Sequence, residues 1–100
     1  MSIVPVTGRE ENEPMKFATT IQYGNQEKIT EVRPTHREYL GKLKEQGKLW
    51  ASGPFEDDSG ALIIYEADTQ EEAEQLIRDD PFNEAGVFQS YTIKPWRQVF

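Results

Sequence analysis

The chain has 100 residues, 18 of them acidic and 11 basic, for a formal net charge of −7, and it contains no cysteine and one histidine. Zero cysteines exclude disulfide scaffolds, zinc ribbons, iron–sulfur clusters and thiol catalysis, and a single histidine excludes a three-His zinc centre. The acidic balance argues against nucleic acid or an anionic membrane as the main partner, because phosphate binding needs a basic surface.

One domain is expected at this length, large enough to bury about 65 % of its unfolded surface without a staple. The longest apolar run, Ala61 to Tyr65, is too short to span a bilayer. The N-terminus lacks a basic region followed by an apolar one, so no signal peptide and a cytoplasmic location are expected.

Residues 1–14 carry Pro5, Gly8 and Pro14 with no hydrophobic period, and read as a flexible arm ahead of a single domain over 15–100. Met15 to Tyr23 is rich in β-branched and aromatic residues and ends at Gly24-Asn25, which predicts a first strand and a turn. Ile29, Val32, His36, Leu40 and Leu43 then follow at spacings of three and four, one helical stripe, with Arg37, Lys42, Lys44 and Glu45 on a solvated side. Pro34 places the start of the main helix near itself, and Gly47 ends it. Leu49 to Phe55 reads as a second strand, interrupted at Gly53-Pro54 by a bulge or an edge position. Asp57 to Gly60 is a hairpin loop and Ala61 to Ala67 a third strand.

Asp68 or Thr69 caps a second helix whose apolar stripe is Ala73, Leu76 and Ile77. Pro81 biases Asp80 away from helical geometry and breaks that helix. Val87 to Ile93 alternates as a fourth strand ahead of Pro95-Trp96. The order β-α-β-β-α-β predicts an α+β, ferredoxin-like fold: a four-stranded antiparallel sheet with both helices on one face. Apolar residues fall on both parities of the strands, as Leu62 and Ile64 against Ile63 and Tyr65, or Leu49 against Trp50. Two helices cover only one sheet face, so the other is expected to pack against a second copy in a homodimer.

His36 sits mid-stripe, four residues after Val32 and four before Leu40, so its imidazole points at the sheet. Asp80 falls four residues after Leu76 and three after Ile77, prolonging the buried stripe of the second helix. With both helices on one face the two groups can meet, and a carboxylate that orients a histidine makes an acid–base pair. The competing readings are a hydrogen-bonded core histidine and an aspartate that caps the next turn. Arg33 is placed either to hold an anion bidentately or to pair with Glu38 or another surface carboxylate. Ser52, Gly53 and Pro54 put a hydroxyl and a small residue mid-strand, where backbone can approach a ligand, or mark only a bulge. No spacing matches a metal site, a phosphate loop or a nucleophile elbow, so no cofactor is expected.

Arg33-Pro34-Thr35-His36-Arg37-Glu38-Tyr39-Leu40, Gly47 followed by Ser52-Gly53-Pro54, Glu71-Glu72-Ala73, Asp80-Pro81-Phe82 and the closing Pro95-Trp96 together resemble the YCII-related (YciI-like) family of the dimeric α+β barrel superfamily. The first piece fits the family pattern R-x-x-H-x-x-Y/F-L, and the likeness runs from about Met15 to Trp96. It implies a ferredoxin-like protomer that dimerises through its sheets and a pocket whose proposed active site is a His–Asp pair, here His36 and Asp80. Related barrels include isomerases, cofactor-free oxygenases and a dehydrochlorinase of aromatic catabolism, so the family implies a class of chemistry and not a reaction. The expectation is a cofactor-independent enzyme acting on a small cyclic or aromatic anion, set against a non-catalytic ligand-binding module or a purely structural dimer.

Overall fold

The computed structural model describes residues 14–100, so the expected N-terminal arm lies outside the described residues but for Pro14. The strands are β1 (Met15–Tyr23), β2 (Leu49–Pro54), β3 (Gly60–Ala67) and β4 (Phe88–Trp96); the helices are α1 (Ile29–Glu45), α2 (Gln70–Arg78) and α3 (Pro81–Glu84). All pairings are antiparallel in the order β2-β3-β1-β4, which puts β2 and β4 at the edges. The expected α+β, ferredoxin-like architecture is therefore the fold.

Register sorts the two faces of the sheet. Phe17 opposes Tyr65, Thr19 opposes Ile63 and Ile21 opposes Ala61, and this row is buried against the helices. Leu40 and Leu43 of α1, Ala73, Leu76 and Ile77 of α2, and Phe82 of α3 complete the same core. Burying an apolar side chain of this size contributes roughly 1.5–3 kcal/mol, so this layer carries the fold. Lys16, Ala18, Thr20, Leu62, Ile64 and Glu66 point to the other face. There Trp50 and Trp96, from opposite edges, meet with ring centroids 5.7 Å apart, and Lys16 Nζ lies 5.9 Å from the Trp50 ring while pairing with Glu66 at 3.5 Å.

Local chemistry fixes the ends of the elements. The Gly47 N–H donates to the Lys44 carbonyl and the Lys48 N–H to the Leu43 carbonyl, a closure that needs the left-handed backbone Gly47 supplies at φ 74°. Of the two expected caps of α2, Thr69 is the one used: its hydroxyl accepts the Glu72 N–H at 3.1 Å.

Three expectations are corrected. Helix α1 does not begin near Pro34 but at Ile29, after a 3-10 turn over Gln26–Lys28, and runs through the proline. At the sixth helical position the ring deprives only the Thr30 carbonyl of a donor, and Thr30 is exposed to water. Of the two readings of Gly53-Pro54 the edge position holds, since β2 lies at the edge of the sheet, while the bulge falls instead between Leu49 and Ala51, at Trp50. Strand β4 runs through Pro95 to Trp96, which an edge strand tolerates because its outer N–H groups need no partner. Among the described residues, no helix is long and apolar enough to cross a membrane.

Candidate active site

Helix α1 brings His36 to the sheet because its apolar neighbours Leu40 and Leu43 hold that stripe in the core. Asp80 arrives from the break that Pro81 imposes after α2, where its extended backbone makes it the cap of α3. The carboxylate is fully buried and lies 2.7 Å from His36 Nδ1 through Oδ1 and 3.0 Å through Oδ2. Oδ1 also accepts the Phe82 N–H at 2.8 Å. Asp80 thus does both things its sequence context allowed: it caps a turn and it faces the histidine.

A carboxylate has no proton to give, so Nδ1 is the donor and the neutral ring carries its lone pair on Nε2. Among the described residues Nε2 has no hydrogen-bond partner. The ring plane is locked as well. Phe82 stacks on it at 3.9 Å and 10°, and Phe88 meets it edge-on at 6.2 Å. A buried, oriented imidazole with one free nitrogen can take a proton and return it, with Asp80 stabilising the cation in between.

His36 lines a cleft of about 340 Å³ between α1 and β2. That volume suits a small molecule. Ser52, Gly53 and Pro54 line it too, so β2 brings these residues to the histidine. A Cβ added at Gly53 would meet nothing within 4 Å, so its missing side chain leaves open space. Arg33, half-buried one turn before His36, is not among the lining residues, and among the described residues it forms no ion pair. Glu38, its suggested partner, pairs with Lys42 at 3.6 Å.

Other lining residues had no functional reading in the sequence. Arg37 and Lys44, placed on the solvated side of α1, both border the cleft, as do Tyr23, Trp50 and Gly41. The Lys44 ammonium donates to the Trp50 carbonyl at 2.6 Å. Burial pushes the Tyr23 phenol above its usual range, against the opposing charge of Arg33, so it remains a hydrogen-bond donor at neutral pH. The available signal was angular: Lys44, eight residues beyond His36, lies only about 80° around the helix from it. Among the described residues, no group of three or more metal-ligating side chains is gathered.

A ferredoxin-like α+β protomer with a buried His–Asp pair opening on a helix–strand cleft is the class these features define. Residues 15–97 match the YCII-related domain, and the chain belongs to that family. Protein YciI of Escherichia coli O6:H1 is 33 % identical over 84 aligned positions, covering 74 % of this chain and 86 % of the relative. The uncharacterized protein YjpA of Bacillus subtilis is 37 % identical over 62 positions, covering 62 % of this chain and 72 % of the relative. Among solved structures, the 5-chloro-2-hydroxyhydroquinone dehydrochlorinase TftG of Burkholderia phenoliruptrix AC1100, in complex with 2,5-dihydroxybenzoquinone, superposes with a TM-score of 0.74 at 25 % identity, over 84 % of this chain and 95 % of that one.

Proposed function

We propose that the chain is an enzyme that moves protons on a small cyclic or aromatic anion, with His36 as acid–base and Asp80 as the group that orients it. The observation that carries this reading is the 2.7 Å contact between Nδ1 and a fully buried carboxylate, on a ring that borders an open cleft. Nε2 takes a proton from an acidic O–H or C–H of the bound molecule, and Asp80 stabilises the imidazolium. The proton then returns to another position, which is isomerisation. Alternatively the electron pair left behind expels an anion such as chloride, which is elimination. The likeness to a dehydrochlorinase holding a dihydroxyquinone supports an aromatic substrate by analogy. Ser52, Gly53 and Pro54 form the strand wall against which the ring lies. Arg33, on α1 one turn before His36, adds positive charge outside the lining. The working unit is a homodimer joined through the open sheet faces.

The test is a screen of lactones and halogenated phenols against the wild type and His36→Ala. A substrate should be found whose turnover falls by about 10²–10⁴-fold in the variant. Full turnover by His36→Ala would show the role to be wrong. Probes that shift the His36 ring signals by NMR but are recovered unchanged would make the chain a binding module instead.

A further inference from the structure

The cleft is longer than the reaction at His36 needs. Its helical wall is the stripe His36, Arg37, Leu40, Gly41 and Lys44. Eight residues at 1.5 Å each separate the first from the last, about 12 Å along the axis and longer than one aromatic ring. The strand wall opposite is apolar at Leu49, and Trp50 presents its backbone carbonyl there.

Two features of the outer end call for a ligand group. The first is charge. In a chain of net charge −7, the described lining includes two cations, Arg37 and Lys44, and no carboxylate. Lys44 is also held in place, its ammonium bonded to the Trp50 carbonyl at 2.6 Å. The second is space. Gly41 stands inside a 17-residue helix, where glycine is unfavourable relative to alanine, yet a Cβ there would meet nothing within 4 Å. Neither core packing nor a turn accounts for a glycine at this position. A missing side chain in the wall of a cleft leaves room for something else.

The geometry points to a two-part slot: a ring bound at His36, and a carboxylate on a short chain held by Arg37 and Lys44 where Gly41 leaves the wall open. The substrate class is then an aromatic acid whose carboxylate is set off from the reacting ring, rather than a bare phenol or quinone. This inference rests on the reading of His36 as the reacting end and adds the outer subsite to it. Gly41 sets the length that fits, and the two cations select the charge.

The probes are hydroquinone and its relatives bearing a carboxylate directly, on one methylene and on two. Each is titrated by calorimetry into the full chain, while NMR follows the His36 ring. Affinity should rise from hydroquinone to the longest acid by about tenfold or more, the scale of one charge-assisted contact. Arg37→Met with Lys44→Met should erase that gain, so that in the variant the acids bind no tighter than hydroquinone does. Gly41→Leu should erase it for the longer acids only, and Gly41→Ala, a smaller intrusion in the same helix, should keep most of it. Equal affinity for all four probes in the wild type overturns the subsite while leaving the acid–base reading standing if the His36 ring responds. Acids that bind through Lys44 without moving the His36 signals preserve the subsite and overturn the acid–base reading. If none of the four binds, both fall.

Discussion

Asp80 makes two bonds from one buried carboxylate, so its replacements separate stability from chemistry. Asp80→Ala leaves the Nδ1–H of His36 and the N–H of Phe82 without acceptors inside the core. Breaking a buried charged contact in this way costs about 3–5 kcal/mol, and thermal melting should show it. Asp80→Asn keeps the shape and one acceptor oxygen, so its melting loss should be the smaller of the two. Because an amide stabilises an imidazolium poorly, its turnover should still drop. Stability and turnover both kept in Asp80→Asn would mean that the carboxylate serves packing alone. The tyrosines give a second test at this scale. Burial pushes the Tyr23, Tyr39 and Tyr65 phenols above the usual value of 10.0. Tyr39 also donates to the Leu76 carbonyl, a bond that its phenolate cannot make. A folded-state value above the unfolded one contributes stability that is complete below pH 10 and is lost as pH rises beyond it. Alkaline titration followed by phenolate absorbance should therefore show these rings ionising together with unfolding, above about pH 10. Smooth ionisation of these three tyrosines near 10, ahead of any loss of structure, would contradict that account.

Helix α1 holds one glycine and is closed by another, and the two ask opposite things of the backbone. Gly41 is helical with open space where a Cβ would stand, so Gly41→Ala should raise stability by about 0.5–1 kcal/mol, a few degrees in melting temperature. Gly47 sits at φ 74°, so Gly47→Ala should lower it by about 1 kcal/mol. A melting temperature that falls in Gly41→Ala would mean the wall there is less open than it looks. The same helix shows what the sequence could and could not tell. The three-and-four spacing of Val32, His36 and Leu40 turned the imidazole inward, and helical geometry encodes that fact. Asp80 does not prolong the stripe of α2, which ends at Arg78; the extended backbone ahead of Pro81 turns its carboxylate inward as the cap of α3, so the pairing was legible but its local cause was not. The cleft was not, because it lies between α1 and β2, and no periodicity within one element reports which strand faces it. Arg37 and Lys44 looked like solvated charges for that reason, and they are indeed exposed at its rim. Pro34 misled because the usual rule counts the lost hydrogen bond without asking whether water replaces it. Thr30 is exposed, so its carbonyl is open to water.

The molecule as a whole presents one finished sheet face and one unfinished one. Doubled apolar parity in the strands foretold this, and register places Ala18, Leu62 and Ile64 on the side away from the helices. Leu62 is 38 % exposed, and Trp50 and Trp96 on the same face are exposed to a similar degree. A surface of this kind is costly for a monomer in water, and a two-fold axis lets the same patch cover itself. Sedimentation should therefore give the wild type twice the chain mass at micromolar concentration. Leu62→Arg sets like charges against each other across the axis and should halve that mass. The cleft opens on the other layer, where Leu62 makes no part of the lining, so the His36 ring signals should stay in place. If the wild type already sediments as one chain and Leu62→Arg changes nothing, the Lys16–Glu66 pair and the two indoles cover enough of the sheet to leave it facing water. In that case the site on α1 works, or fails, as a property of one protomer.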